Sequence, residues 1–296
     1  MSEDGQRAPG SFYYYAPNQG APVFFAVAFA ASGIFHTWQC IHYKCSNVVS
    51  LHPIVCLTFA IGFAMREYGA FQDDNLGAFI GSTVLIYASP PLLELANYHV
   101  LGRITAYIPY CAPMPPNRVL ATFGILSMLV ESLSGIGVPW IANSQATEQL
   151  QKAGHALVKA SLLLQIVVVS ASIPLAVVFQ RRCAQMESPE HARRIKGPLT
   201  TIYLSTALIL VRCIYRTVEY FIVSGNADDD NASIIQRYEC FFYIFEATLM
   251  LSNEIWWNVR YPMRDLPRSK VIYLARDGMS EAKRESPRRG GGGFVG

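Results

Sequence analysis

The sequence is poor in charge. Only 15% of its 296 residues are charged, whereas 52% are hydrophobic. Soluble domains carry about 25% charged residues, so this chain has too few to cover a surface that faces water. Its 12% aromatic content and its few charge runs exclude a disordered chain. Its seven cysteines are too few for this length, and odd in number, which excludes a small disulfide scaffold.

The sequence also lacks the motifs of common catalytic and metal centres. It contains no G-x-x-x-x-G-K-[ST], no H-E-x-x-H, no Cys-x-x-Cys pair and no G-x-S-x-G elbow. The six histidines are scattered, and neither His36 nor His99 has a second histidine at helical spacing. We therefore expect no catalytic residue, no metal site, no cofactor and no nucleic-acid partner. We predict that the protein is not an enzyme.

Long apolar runs are what the sequence has instead. A membrane-spanning helix needs about 20 mostly apolar residues. We predict seven such helices, at residues 21–43, 50–69, 77–100, 118–140, 156–180, 199–223 and 238–260. A soluble all-α protein would need amphipathic helices with a charged face, and these runs are apolar nearly all round. A signal peptide cleaved near Ala30 is the alternative for the first run, but its acidic N-terminal flank favours a transmembrane helix.

The positions of Lys and Arg predict the orientation of the chain. The segments on the side of the N-terminus carry three of these residues, and those on the other side carry seventeen. Cytoplasmic loops are enriched in Lys and Arg, so we expect the N-terminus outside and the C-terminus in the cytoplasm. The predicted fold is an all-α bundle of seven transmembrane helices over residues 21–263. It follows an extracellular tail over 1–20 and precedes a disordered basic cytoplasmic tail over 264–296. Asn231, on the outer side, begins a glycosylation sequon.

Charged residues inside the apolar runs are the candidates for function, since a charge at the bilayer centre costs about 2.5–3.5 kcal/mol. The main candidates each share one helix face: Arg212, Arg216 and Glu219 in the sixth run, and Glu239, Tyr243 and Glu246 in the seventh. Two interpretations stay open for them. They form a polar cavity that holds a head group or passes protons, or they form buried salt bridges that fix helix packing.

Secondary candidates lie in the earlier runs. Arg66 ends the second run, and Glu131 and Lys159 could pair between the fourth and fifth. The dipeptide Pro90-Pro91 is expected to break or kink the third helix and to free backbone carbonyl groups there.

Motifs of the sixth and seventh runs form a recognisable pattern. The sixth contains Ile202-Tyr203-Leu204-Ser205 and Tyr215-Arg216-Thr217-Val218-Glu219-Tyr220, and the seventh contains Tyr243-Ile244-Phe245-Glu246. These motifs resemble the fungal RTA1-like family of seven-helix membrane proteins, also called the lipid-translocating exporter family. The resemblance extends over roughly residues 13–264. The family usually has Asp at the position of Glu246, and it often has polar residues at the positions of Phe59 and Gly124.

The resemblance implies a multi-pass protein of the plasma membrane whose partners are membrane lipids and amphipathic small molecules. Members are linked to resistance against toxic amphiphiles, to export or flipping of sphingoid long-chain bases, and to haem or porphyrin traffic. The leading interpretation is lipid translocation, in which Glu239 and Glu246 receive a cationic amine and Arg212 and Arg216 hold these carboxylates. The alternative is a seven-helix lipid-sensing receptor or regulator that signals through its basic cytoplasmic loops and tail, an interpretation that the long loop at 181–198 suits.

Overall fold

The computed structural model describes residues 18–43, 51–72, 75–143, 146–186, 190–225, 239–262, 266–267, 272–277 and 280–283. Six long helices come first: α1 (Ala21–His42), α2 (Leu51–Phe71), α3 (Leu76–Tyr107), α4 (Pro116–Ala142), α5 (Glu148–Ala184) and α6 (Glu190–Gly225). A continuous helical stretch follows in three parts: α7 (Glu239–Phe242), a π-helix, π1 (Tyr243–Thr248), and α8 (Leu249–Val259). Two short strands, β1 (Ile272–Leu274) and β2 (Glu281–Lys283), form an antiparallel hairpin.

Helices α1 to α6 are each long and apolar enough to cross a membrane. Large apolar side chains point outward from them, such as Phe24 at 61% and Ile34 at 72% exposure. A surface of this kind suits lipid rather than water. The predicted apolar helical bundle is therefore confirmed for six candidate spans. The seventh predicted span, 238–260, is helical but is divided by π1, so the count of seven crossings and the orientation stay predictions.

The helix α3 runs through Pro90 and Pro91 without interruption. A break was one of the two outcomes that we expected there, because proline removes a backbone hydrogen bond. The structure shows no break. The preceding turn is fixed by Ser89, whose hydroxyl lies 2.8 Å from the Leu85 carbonyl oxygen and 2.8 Å from the Thr58 hydroxyl of α2. Packing against α2 and α4 thus holds the proline-containing helix together.

The helices form a ring in sequence order, with α3 reaching inward. Each of α1 to α6 packs against the next, and α8 closes the ring by contacting α6 and α1. In addition, α3 contacts α5 and α6 across the bundle. One apolar core contains stacked phenylalanines, among them Phe29 and Phe59 with ring centroids 4.4 Å apart. Phe59, at a position where the family often has a polar residue, is therefore a packing residue here.

The backbones of α4 and α5 touch at two glycines. A β-carbon on Gly137 would lie 2.9 Å from the carbonyl oxygen of Gly154, and one on Gly154 would lie 2.9 Å from the carbonyl oxygen of Gly137. Both neighbours are backbone atoms, so neither can turn aside. Small residues allow this close approach in membrane bundles, where it improves van der Waals packing and polar contacts between helices.

This contact makes the interface between α4 and α5 sensitive to added volume. We expect Gly137→Leu to lower the free energy of unfolding by about 1–3 kcal/mol, the usual cost of overpacking. Denaturant unfolding of the detergent-purified protein measures this change. Gly135→Leu on the same helix is the control, because nothing lies within 4 Å of a β-carbon on Gly135. Equal losses in the two variants would show that the close contact is not the cause.

The hairpin lies within the tail that we predicted to be disordered. Leu274 is fully buried in a core that includes the end of α3. The Tyr107 hydroxyl donates to Glu281 over 2.9 Å, and Arg103 donates to the Pro267 carbonyl oxygen over 2.6 Å. The structure thus differs from the prediction at β1 and β2, because these contacts anchor them to α3. Residues 284–296 of the tail, residues 1–17 and the sequon at Asn231 lie outside the described residues.

Candidate functional site

Five polar residues lie near the middle of their helices and form what we call the central layer: Glu94 of α3, Glu131 of α4, Gln165 of α5, Arg212 of α6 and Glu246 of π1. The middle of a spanning helix lies near the bilayer centre, where charged side chains are expensive and mark substrate or proton pathways. The central layer therefore brings together polar side chains from five helical segments at the depth where burying them in lipid costs most.

Arg212 and Glu246 form a buried ion pair in this layer. Arg212 Nε donates to Glu246 Oε1 over 2.7 Å, and the two side chains are 5% and 0% exposed. The other carboxylate oxygen, Oε2 of Glu246, is buried and has no hydrogen-bond partner among the described residues. A buried acceptor without a donor is costly. This oxygen is therefore available to a donor that a ligand would bring.

The π-helix supplies the position of Glu246. A π-helix makes a wider turn than an α-helix and occurs frequently at functional sites. Here it carries two of the predicted site residues, Tyr243 and Glu246. We predicted a helical seventh run, but apolar periodicity alone does not reveal a π turn.

The central layer continues from Arg212 toward the lipid-facing surface. Gln165 Nε2 donates to Glu94 Oε1 over 2.7 Å, and both side chains are buried. Glu94 interacts electrostatically with Arg212 and with Glu131. Glu131 interacts with Arg212 as well, yet it is an exposed residue on α4. Glu246 thus contacts the Arg212 guanidinium, Glu94 and Glu131 lie within its electrostatic reach, and Glu131 is the exposed member of the three.

Arg216 and Glu219 form a second cluster, which begins one helical turn after Arg212 on α6. Arg216 Nη1 lies 2.5 Å from Glu219 Oε2 and donates to the Tyr87 hydroxyl over 2.9 Å. The Arg216 guanidinium also lies 3.9 Å from the centroid of the Tyr87 ring. The structure thus forms the Arg216–Glu219 pair expected from their spacing. Arg216 interacts electrostatically with Glu246 too, which links this cluster to the central layer.

Glu239 accepts hydrogen bonds from Arg66, Tyr243 and Asn18 at the same end of the bundle, and we call this group the clasp. Arg66 of α2 donates to Glu239 Oε1 over 2.9 Å, and the Tyr243 hydroxyl donates to the same oxygen over 3.1 Å. The backbone N–H of Asn18 donates to Oε2 over 2.7 Å. We predicted that the arginines of the sixth helix would meet the carboxylates of the seventh. This holds for Arg212 with Glu246, whereas Glu239 pairs with Arg66 because α7 lies beside α2 at this end.

The pair that we considered between Glu131 and Lys159 is not formed. No salt bridge joins them, although both lie in the described part of the chain. Lys159 Nζ instead lies 5.4 Å from the centroid of the Phe221 ring of α6, and Glu131 interacts with Arg212. Lys159 therefore interacts with Phe221 and Glu131 with Arg212, rather than with each other.

A third polar cluster was not predicted from the sequence. His36 Nε2 of α1 and His52 Nδ1 of α2 lie 2.9 and 3.1 Å from Glu254 Oε2 of α8, and all three residues are buried. Ligand spacing within one run does not reveal this cluster, because its side chains come from three helices. The available signals were His36 with Cys40 on α1 and His52 with Cys56 on α2, each pair four residues apart.

Comparison with known proteins identifies relatives of this chain. The family described as RTA1 like protein matches residues 53–269. The lipid-translocating exporter-like protein RTA1 of Leptosphaeria maculans is 46% identical, over 91% of this chain and 54% of that relative. The protein of the same name from Ajellomyces capsulatus is 27% identical, over 75% of this chain and 70% of the relative. Protein RTA1 of Saccharomyces cerevisiae is 24% identical, over 90% and 89%.

The chain spans about half the length of the Leptosphaeria relative. No solved structure matches it.

Proposed function

The chain belongs to the RTA1-like protein family, and from this premise we propose that it moves amphipathic lipids across a membrane. The resemblance noted in the sixth and seventh runs is confirmed by the family match. Relatives named as lipid-translocating exporter-like proteins support a lipid transporter in general. The six apolar helices make the protein an integral, multi-pass membrane protein. We place it in the plasma membrane, with seven crossings and the N-terminus outside.

The substrate class that we propose is a cationic, single-chain lipid of the sphingoid-base type. The central layer is the observation that carries this proposal. It holds three carboxylates, Glu94, Glu131 and Glu246, against the single guanidinium of Arg212. These carboxyl groups offer acceptors to an ammonium head group, which supplies both a positive charge and N–H donors. The hydrocarbon chain can stay in the lipid while the head crosses the layer.

The order of the carboxylates gives the proposed route. The amine first meets Glu131, because this residue is exposed on the lipid-facing side of α4. It then passes Glu94 and reaches the unpartnered oxygen of Glu246, whose other oxygen is held by Arg212. Both oxygens of Glu239 already accept hydrogen bonds, so we assign Glu239 to the clasp at the end of the bundle rather than to the amine.

Movement along this route needs a driving force other than bound nucleotide, since the sequence has no phosphate-binding loop motif. The lipid's own gradient is one source. A proton exchanged at Glu246 or Glu219 is the other, since both carboxylates lie in or beside the polar clusters.

Lipid flip in proteoliposomes tests the proposal. A fluorescent sphingoid base is added to the outer leaflet. The fraction of fluorescence that a membrane-impermeant quencher can no longer reach reports the amount of probe in the inner leaflet. The matched probe has the same chain and fluorophore but an N-acetylated, uncharged head. We expect the protein to accelerate flip of the amine and not of the acetylated probe. Flip no faster than in empty liposomes, with or without a proton gradient, would contradict translocation and favour the receptor interpretation.

Glu131→Gln tests the lateral route in the same assay. We expect a flip rate about fivefold lower, which corresponds to about 1 kcal/mol of lost attraction for the amine. Glu148→Gln is the control, because Glu148 is 79% exposed at the start of α5 and pairs only with Lys152 in the described structure. An unchanged rate for Glu131→Gln would show that the lipid reaches the central layer elsewhere.

A further inference from the structure

The cluster of His36, His52 and Glu254 lies apart from the central layer. It occupies the last turns of α1, the first turn of α2 and the last turns of α8. The ligand atoms of the three side chains all lie within 4.8 Å of one another, and the two imidazole rings stack with centroids 5.0 Å apart. The positions of Lys and Arg assign this end of the bundle to the cytoplasmic side.

The kind of charge compensation distinguishes Glu254 from Glu246 and Glu239. Glu246 is compensated by Arg212 and Glu239 by Arg66, whereas the partners found for Glu254 are two imidazoles. Glu254 is fully buried. A carboxylate in such surroundings needs a positive charge beside it, because burying an unpaired charge is very costly.

Hydrogen bonding alone leaves this cluster incomplete. Nδ1 of His36, Nε2 of His52 and Oε1 of Glu254 are buried and have no hydrogen-bond partner among the described residues. The side-chain amide of the adjacent Asn253 is in the same situation at both its oxygen and its nitrogen. The carboxylate at the centre of the cluster therefore keeps one oxygen, Oε1, without a hydrogen-bond donor among the described residues, an acceptor that a bound cation would satisfy.

We propose that His36, His52 and Glu254 bind a divalent transition-metal ion of the zinc class. Two imidazole nitrogens and one carboxylate oxygen are typical ligands of such ions. A tetrahedral zinc ion with bonds of about 2.0–2.1 Å places its ligand atoms about 3.3 Å apart. The nitrogen–oxygen distances of 2.9 and 3.1 Å lie close to this value, and all the ligand atoms lie within 4.8 Å of one another. Its positive charge compensates Glu254.

Three protein ligands leave a fourth coordination position open, as in zinc sites that keep a water molecule there. The ion would join α1, α2 and α8 at one end of the bundle. This inference goes beyond lipid translocation and does not depend on it.

Metal binding by the full-length protein tests this inference. The protein carries a peptide tag without histidine, is stripped with a chelator in detergent, and is then reloaded with Zn²⁺ or Co²⁺. We expect one tightly held ion per chain by elemental analysis, the visible bands of four-coordinate Co²⁺, and a higher Tm for the loaded protein. Absence of stoichiometric uptake by the wild-type protein overturns the proposal, whatever the variants do.

Variants assign the ion to the cluster. We expect Glu254→Gln and His52→Gln each to retain less than a tenth of the wild-type metal. His42→Gln should retain all of it, because His42 is an exposed residue of α1 outside the cluster. If Glu254→Gln binds as much metal as the wild type, the ion lies elsewhere, and a protonated imidazole compensates Glu254. If the variants do not fold, the Co²⁺ spectrum of the wild-type protein still tests the proposal. Bands of six-coordinate rather than four-coordinate Co²⁺ would exclude this ligand set.

Discussion

Arg212→Ala should destabilise the protein by about 3–5 kcal/mol, the cost of removing one partner of a buried ion pair. Arg212 supplies the guanidinium of the central layer, and its loss leaves the buried Glu246 without its ion-pair partner. It also removes the positive charge that faces Glu94 and Glu131. Denaturant unfolding of the purified protein, followed by helical circular dichroism, measures the change.

A double variant separates the lost pair from the lost side chain. Arg212→Met combined with Glu246→Leu removes both charges and keeps the volume, so it should recover much of the stability. Arg181→Ala, at an exposed position of α5, should change stability little. If the double variant is as unstable as Arg212→Ala, the stranded carboxylate is not the cause of the loss.

Glu246→Gln should slow flip of the fluorescent sphingoid base at least about thirtyfold, which corresponds to about 2 kcal/mol. Glutamine keeps the shape of the side chain and an oxygen for Arg212, but it has no charge to offer an amine. The proteoliposome assay measures the rate, and size-exclusion chromatography checks that the variant is folded.

Glu246→Asp is the matched control for this experiment. It keeps the charge, and aspartate is the residue that the RTA1-like family usually has at this position. We expect it to retain most of the flip rate. Glu239→Gln should also lower the flip rate less than Glu246→Gln does, because both oxygens of Glu239 accept hydrogen bonds in the clasp. A wild-type rate for Glu246→Gln would remove Glu246 from the route.

Local spacing explains which parts of the site could be predicted from the sequence. Arg216 and Glu219 are three residues apart, so one helix face holds both regardless of the fold. Helix positions also follow from apolar composition: the run at 21–43 corresponds to α1, and that at 118–140 lies within α4. The ends of α5 and α6 extend beyond the predicted runs, because polar turns continue a helix after its apolar segment ends.

Partners from distant helices could not be predicted. Glu239 pairs with Arg66 through the packing of α7 beside α2, and the two residues are 173 positions apart. The cluster at Glu254 combines side chains from α1, α2 and α8, and no spacing within one helix encodes it. The continuity of α3 through Pro90 and Pro91 depends on neighbours as well. In each case the deciding contact is set by which helices are adjacent, which the sequence leaves open.

The π-helix has one further consequence, for the angular phase of the last helix. An α-helix advances about 100° per residue, and a π turn holds about one residue more than an α turn. It therefore offsets α7 from α8 by about 100°. If one residue were removed from π1, so that α7 and α8 formed one continuous α-helix, Glu239 would turn away from Arg66 while Glu254 stayed against His36. A single inserted residue thus allows the two ends of one helix to be aligned independently, each with its own polar partners.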